Sequence, residues 1–460
     1  MTAETVAVPP SPSRLRLTDP RTGRARADLA GADEAAVTDA VGAAREAQRS
    51  WAGLPTGERS RRLLAFADRI EGALGEYVAA EQAGTGKPAH EAEGEIRDSV
   101  DLLRFYAGAV RGALAPAAGH HIPQRESWVR WEPLGVVGAI VPWNYPIMMA
   151  AWRIGPALAA GNAVLLKPAE STPDSALLLA RDAEATLGPG VLGALPGDRA
   201  TGRLLVESRI DAIAFTGSIA GGQDVAARAG LRRVSLELGG NCPAIVLPDA
   251  PEHTYADLTG AATYNAGQSC AAPARVITLR SNYAEVVDRL AEAMSRRQAG
   301  RSFGPLNNAD QIRRYRQILA GSGAGVSHAA GLALGDDSHE DGYWAEGRIL
   351  ADLEPDDPAV ATELFGPCLT VQAAEDVDDA VRLANGVDQA LAGSVWGAAT
   401  GQVLSVARAL DAGEVWVNCV LEQCPELPHG GRGASGHGTD LSVLALTEFQ
   451  RPKTVTVRLA

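Results

Sequence analysis

Cys270 stands in the run Tyr264-Asn265-Ala266-Gly267-Gln268-Ser269-Cys270-Ala271-Ala272-Pro273-Ala274-Arg275, 33 positions after Glu237 and 126 after Asn144. Glu237 lies in Leu236-Glu237-Leu238-Gly239-Gly240, and Asn144 in Pro142-Trp143-Asn144-Tyr145-Pro146. A thiol, a carboxylate and a side-chain amide, each in a Gly- or Pro-bearing turn, are the groups that oxidise an aldehyde through a thioester. The thiol attacks the carbonyl carbon, the amide steadies the alkoxide and the carboxylate activates water. Glu237, flanked by two leucines ahead of a glycine pair, is awkwardly placed for a merely solvating charge. A lone buried cysteine is ordinarily an apolar filler, which is the reading given to Cys242 and Cys368.

Oxidation requires a hydride acceptor, and no Gly-x-Gly-x-x-Gly opens a helix after a strand. Instead Leu165-Leu166-Lys167-Pro168-Ala169-Glu170 ends a predicted strand, placing a cation and a carboxylate at the sheet edge where open α/β sheets bind ligands. Lys167 and Glu170 suit the adenosine ribose. Phe215-Thr216-Gly217-Ser218 ends another strand at a helix start, where backbone amides and Ser218 suit a pyrophosphate. Taken singly, either turn reads equally as a structural cap. Only three of the 42 basic residues are lysine, namely Lys87, Lys167 and Lys453, so a retained lysine is a candidate for work that guanidinium does poorly. For Lys87 and Lys453, chance remains an open reading.

These residues need elements to hold them. Apolar residues at three- and four-residue spacing predict helices over Glu34 to Trp51, Gly57 to Ala83 and Glu91 to Val110. Between Ile122 and Val141 the pattern changes to that of strands. From Ala163 onward, strand-like runs (Ala163 to Leu166, Leu192 to Leu195, Ala212 to Phe215) alternate with helices over Ser175 to Leu187 and after Thr201. That rhythm predicts a parallel, doubly wound sheet. A second α/β unit runs from Pro243-Ala244-Ile245-Val246-Leu247 to Val415-Trp416-Val417-Asn418, with Gly321 to Gly335 as the surface loop. Thr454 to Leu459 alternates like an exposed strand, and an unpaired edge predicts a homodimer or homotetramer.

At 460 residues and 46% apolar content, the chain is long enough for two or three domains. A net charge of -14 argues against nucleic acid or an anionic membrane as partner and leaves a small molecule. No apolar run approaches the length of a membrane span, and Pro9, Pro10 and Pro12 interrupt any signal-peptide core, so a cytoplasmic location is expected. Five cysteines and eight histidines without metal-ligand spacing predict reduced thiols and no metal.

Seven motifs occur in the order and approximate spacing of one family. They are Pro142-Trp143-Asn144-Tyr145-Pro146, Lys167-Pro168-Ala169-Glu170, Phe215-Thr216-Gly217-Ser218, Leu236-Glu237-Leu238-Gly239-Gly240, Gly267-Gln268-Ser269-Cys270, Glu363-Leu364-Phe365-Gly366-Pro367 and Ser435-Gly436-x-Gly438. From about Pro20 to Val457 the chain resembles the aldehyde dehydrogenase superfamily. The resemblance implies an α/β fold with two doubly wound α/β domains and a small β oligomerisation element. Residues 1–114 and 134–239 would form the NAD(P)-binding domain, 240–448 the catalytic domain, and 115–133 with 449–460 the oligomerisation element. It also implies Cys270 as nucleophile through a thiohemiacetal, Asn144 in the oxyanion hole and Glu237 as the hydrolytic base. Val141, Trp143, Gly217, Ser218, Leu238, Glu363 and Phe365 join Lys167 and Glu170 along the cofactor. NAD is expected over NADP, because Glu170 would repel a 2′-phosphate. Arg275 is expected to be a structural ion-pair partner.

Within the superfamily, the Pro142 to Trp152 run and Leu427-Pro428-His429-Gly430-Gly431, followed by Ser435 to Ser442, most resemble 4-aminobutyraldehyde dehydrogenases and their betaine-aldehyde relatives. This places Tyr145, Trp152, Tyr264 and His429 around the substrate, where aromatic faces attract an ammonium. Trp152 and Tyr264 read alternatively as core aromatics. Glu422 and Gln423 replace positions usually apolar in that group, which favours a cationic or polyhydroxylated aldehyde. Glu95, Asp98 and Asp101 either add negative potential at the tunnel mouth or form a solvated face. The segment between Met294 and Gly304 is short and Asn241 replaces a common lysine, which fits a specialised biosynthetic member acting on another polar aldehyde. A non-catalytic binding module of this fold, and transfer of the thioester to CoA or phosphate, are the competing classes.

Overall fold

The computed structural model describes residues 14–112 and 118–459. The expectation drawn from Pro9, Pro10 and Pro12, and the division between residues 114 and 115, fall outside the described residues. A five-stranded parallel sheet runs in the order Leu192–Ala194, Ala163–Lys167, Val136–Ile140, Ala212–Gly217 and Arg233–Leu238. The two strands beside its centre, Ala163–Lys167 and Val136–Ile140, are buried at every position. Their unbroken apolar runs are what a parallel sheet covered by helices on both faces requires. The order reverses beside Val136–Ile140, so a crevice opens at the carboxyl ends of the strands there.

A second sheet of seven strands holds Cys242–Val246 and Pro273–Leu279 side by side near its middle, flanked by Cys368–Ala374 and Ala392–Trp396. All its pairings are parallel except that of Val326–Ala329 with Arg348–Ala351. A third, antiparallel sheet pairs Gln450–Arg458 with Arg125–Pro133, and Ala118–Ile122 lies on the other side of Arg125–Pro133. Gln450–Arg458 is therefore a sheet edge, as its alternation predicted. Lys453 lies on it and is ion-paired to Glu132 across the strands at 3.4 Å.

The helix Pro146–Ala159 is buried on nearly every side and lies against Ala89–Ala109. Their approach depends on Gly155, where a Cβ would sit 2.8 Å from the Tyr106 ring. This packing fixes the turn that precedes Pro146, and with it Asn144.

Three local readings change. The helix expected over Gly57 to Ala83 is two, Thr56–Gly72 and Leu74–Thr85. At Ala73 (φ -104°, ψ 19°) the amide bonds to the carbonyls of both Arg69 and Ile70, so the last turn tightens and the axis breaks after Gly72. Inside the expected loop Gly321 to Gly335 lies the edge strand Val326–Ala329, whose largely exposed side chains carry no apolar alternation. The hairpin of Arg14–Thr18 with Ala25–Ala30 was not anticipated.

Arg275 is buried and, among the described residues, forms no ion pair, contrary to expectation. Its guanidinium donates to the carbonyls of Asn241 at 2.9 Å, Leu383 at 2.9 Å and Ala384 at 2.8 Å. Burial lowers its pKa to about 10. It thus ties the strand that follows Cys270 to two neighbouring segments. Arg275→Met would remove the guanidinium donor from all three carbonyls, and chemical denaturation should report a stability loss of about 3 kcal/mol or more. A loss under about 0.5 kcal/mol would contradict this role.

Candidate active site

After the helix Thr254–Thr263 the chain passes through Asn265 (φ 49°), Ala266 (φ 55°) and Gly267 (φ 71°) before reaching Cys270. The left-handed conformation costs a non-glycine residue about 1–2 kcal/mol, so something must hold the turn. Glu91 accepts the Asn265 amide at 3.2 Å, and the Asn265 side chain donates to the Asn144 carbonyl at 2.8 Å. Gln268 donates to the Asn265 carbonyl at 3.0 Å and accepts the Asn307 amide at 2.8 Å. Gly267 is required because a Cβ would lie 2.3 Å from the Gly366 carbonyl oxygen. Cys270 emerges half-buried, its carbonyl accepting the Cys242 thiol at 3.2 Å. Burial, with smaller contributions from Cys242, Glu363 and Glu237, pushes the Cys270 thiol well up, so it rests protonated.

Asn144 lies in the turn between Val136–Ile140 and Pro146–Ala159, and its side-chain amide donates to the Gln268 carbonyl at 2.9 Å. The amide is thereby held against the cysteine turn. Lys87 is fully buried, donates to the Asn144 carbonyl at 3.1 Å, is ion-paired with Glu95 and lies 4.8 Å over the Tyr145 ring. The scarcity of lysine flagged this residue, but nothing in the sequence told its use from chance. Glu81 accepts the Ile147 amide at 3.2 Å, so buried carboxylates grip both turns.

Glu237 ends the strand Arg233–Leu238 and is buried. Its two oxygens have no hydrogen-bond partner of ordinary geometry among the described residues, and the Gly431 backbone adds only a weak pull toward its charged form. Burial first, then Asp440, pushes its pKa well above the carboxylate range, against the pull of Arg153. Arg153 is itself fully buried, ion-paired to Asp440 at 2.9 Å and donating to Thr216 at 2.8 Å and Ser235 at 3.2 Å. Sequence reading passed over this pair. The signal was an arginine inside the otherwise apolar run Pro146 to Ala159.

Two cavities meet at Cys270. One, of about 630 Å³, is bordered by Tyr145, Trp152, Tyr264, Glu422, Gln423 and His429. Tyr145 and Tyr264 stack with centroids 6.4 Å apart, and Trp152 meets the His429 ring edge-on at 5.1 Å. Trp152 and Tyr264 are thus cavity walls as well as packing residues. Asp98, Asp101 and Asp257 border it too, and with Glu422 they form no ion pair among the described residues. Against them the lining carries one arginine, Arg297. Asp257 was not foreseen. Gln423 turns toward Glu414, to which it donates at 3.2 Å. Asn241 lies away from the cavity and donates to the Val360 carbonyl at 2.8 Å.

The second, smaller cavity brings Cys270 together with Glu363, Phe365 and Gly240. Glu363 accepts the Gly240 amide at 3.1 Å, and burial raises its pKa to about 7. Phe365, at φ 50°, meets Trp143 edge-to-face at 5.5 Å. At the crevice of the five-stranded sheet, the buried Lys167 ammonium has the exposed Glu170 carboxylate at 3.9 Å, Asp198 adds a weaker attraction, and burial lowers its pKa. Val141 donates its amide to the Lys167 carbonyl at 3.1 Å, joining the two strand ends. Gly217 closes its strand, and Ser218 caps the helix Ile219–Ala229 by accepting the Gly221 amide at 3.2 Å. Leu238 packs on that helix, where a Cβ on Gly222 would lie 2.6 Å from it. A nearly unpartnered buried ammonium, an exposed carboxylate and a helix N-terminus at a strand-order reversal fit a dinucleotide.

The buried acids make stability depend on pH. Burial raises Glu91 to about 7 from an ordinary 4.5. The folded chain therefore binds more protons than the unfolded one between those values, and the associated stability is lost as pH rises through 7. Glu91→Gln should flatten the fall of Tm between about pH 5 and about pH 7.5, and an unchanged slope would contradict the shift.

Among the described residues no helix is long and apolar enough to cross a membrane, and no cluster of three potential metal ligands occurs. Residues 8–455 match the aldehyde dehydrogenase family. Human retinal dehydrogenase 2 is 35% identical over 96% of this chain and 88% of its own length. The mitochondrial benzaldehyde dehydrogenase of Antirrhinum majus is 36% identical over 96% and 85%. Betaine aldehyde dehydrogenase from Staphylococcus aureus, solved with NAD+, superposes at TM-score 0.92 with 27% identity over 97% of this chain and 92% of that one. Its two α/β sheets, its cavities meeting at one cysteine and these likenesses together assign the chain to the aldehyde dehydrogenase family, as an NAD-dependent aldehyde oxidoreductase.

Proposed function

We propose that the chain oxidises a cationic aldehyde, such as the omega-aminoaldehyde 4-aminobutanal, to its carboxylic acid through a thioester on Cys270. The observation that carries the chemistry is the position of Cys270 between the two cavities, beside the Asn144 amide. The Cys270 sulfur attacks the aldehyde carbon as thiolate, its proton released to solvent. The Asn144 side chain and the Cys270 backbone N–H hold the resulting alkoxide, at about 3 kcal/mol per donor. NAD held in the neighbouring crevice would supply the two-electron acceptor for the hydride that leaves the thiohemiacetal carbon. Glu237, whose raised pKa suits a base working near neutrality, then draws a proton from the water that cleaves the thioester and releases the acid.

Lys167 and Glu170 would hold the adenosine ribose of NAD, Gly217 and Ser218 its pyrophosphate, and Glu363 and Phe365 its nicotinamide end, with Val141, Trp143 and Leu238 along the path. The Glu170 carboxylate disfavours a 2′-phosphate, so NAD is preferred to NADP. Residues 14–112 and 134–239 form the cofactor domain, 240–448 the catalytic domain, and 118–133 with 449–459 the element through which copies of the chain assemble in the cytoplasm. The exposed edge of Gln450–Arg458 supports that assembly.

The substrate reading rests on charge. Asp98, Asp101, Asp257 and Glu422 border the cavity without an ion-pair partner among the described residues, and the Tyr145, Trp152 and Tyr264 faces suit an ammonium. Relatives named for retinal and benzaldehyde favour a second reading, in which the same aromatic walls take an apolar aldehyde. Steady-state NADH formation separates the two. The account expects kcat/KM for 4-aminobutanal to exceed that for butanal by about tenfold or more, equivalent to about 1.4 kcal/mol, with Glu422→Ala narrowing the gap. Preference for butanal or benzaldehyde would instead establish the apolar reading.

A further inference from the structure

His429 and Glu414 form a buried pair in the wall of the substrate cavity that the chemistry at Cys270 does not use. Glu414 begins the strand Glu414–Val417, and His429 lies in the segment that returns past it. The His429 backbone is pinned by two hydrogen bonds to Asp440, its amide donating at 2.8 Å and its carbonyl accepting at 2.7 Å. The ring is pinned as well, by the Trp152 edge contact at 5.1 Å. Its Nδ1 lies 2.9 Å from Glu414 Oε2, and the same oxygen accepts the Gln423 side-chain amide at 3.2 Å.

That geometry decides the tautomer. A carboxylate oxygen only accepts, so Nδ1 carries a proton and donates it to Glu414. The Gln423 nitrogen, 2.9 Å from Nδ1, is then a second donor gathered around one acceptor. In the neutral ring Nε2 is left as a lone-pair acceptor. It has no partner among the described residues, and the ring borders the cavity that holds the aromatic walls and the unpaired carboxylates.

We propose that His429, with its tautomer set by the positioning residue Glu414, is a specificity residue that accepts an N–H from the substrate's ammonium. The proposal rests on the cationic-aldehyde reading and refines it. Carboxylates and aromatic faces attract any cation, including a quaternary ammonium. A fixed imidazole acceptor rewards only an ammonium that carries hydrogen, and a trimethylammonium group offers it methyls. The cavity thereby separates primary and secondary amines from their permethylated counterparts, which charge alone does not do.

The test compares kcat and KM for 4-aminobutanal, 4-(trimethylammonio)butanal and butanal in the full-length wild type, His429→Phe, His429→Asn and Glu414→Gln. The wild type should favour the primary amine over the trimethyl analogue by about tenfold, the size of one hydrogen bond to a charged group. His429→Phe should raise KM for the primary amine about tenfold more than it changes KM for the trimethyl analogue, so the ratio falls to near one. His429→Asn, which keeps an acceptor, should restore part of the ratio, and Glu414→Gln should lower the ratio by acting on the primary amine more than on the trimethyl analogue or butanal. If both cations outperform butanal but the ratio is indifferent to His429→Phe and Glu414→Gln, this inference alone fails. If neither cation outperforms butanal in the wild type, the cationic reading fails and takes the inference with it.

Discussion

The Asn144 carbonyl accepts two buried donors, the Asn265 side chain at 2.8 Å and the Lys87 ammonium at 3.1 Å, and through them two distant turns become one rigid object. One turn carries Cys270 and is strained, with two non-glycine residues in the left-handed region. The other presents the Asn144 amide. Each buried donor here would be expensive to leave unpaired, so the lattice forms as a whole or not at all. Its members come from the helix Ala89–Ala109, from the residues just before it and from both α/β units. Placing a nucleophile beside an amide donor therefore depends on the whole fold closing around them.

The same burial sets the charge states. Cys270, Glu237, Glu91 and Glu363 all have raised pKa values because burial disfavours their charged forms, and neighbouring acids add to this at Glu237. Arg153 and Lys87 supply compensating positive charge from fully buried positions. Outside this shell the balance reverses, because Asp98, Asp101, Asp257 and Glu422 form no ion pair among the described residues and outnumber Arg297 around the cavity. A neutral interior with a negative approach draws a cation toward the thiol without placing charge on it.

Much of this was legible in the chain. Cys270, Asn144 and Glu237 stood out because their residue types and turns suit one reaction, and the parallel sheets followed from unbroken runs such as Ala163 to Leu166. What stayed hidden depended on partners distant in sequence. Lys87 and Arg153 look like ordinary cations until burial and their acceptors are seen, and Arg275 proved to serve carbonyls where an ion pair was expected. Asp257 gains meaning only from the cavity it borders. The break at Ala73 and the strand Val326–Ala329 escaped because neither changes the local apolar pattern.

The account stands on an acyl group passing through Cys270. Mass spectrometry of Glu237→Gln after one turnover with NAD and aldehyde tests it most directly, because that variant retains the nucleophile and lacks the base for hydrolysis. The account predicts an adduct heavier than the protein by the aldehyde less two hydrogens, mapping to the peptide that holds Cys270 and accompanied by one equivalent of NADH. NADH formed without an adduct, or an adduct on any of the other four cysteines, would contradict it.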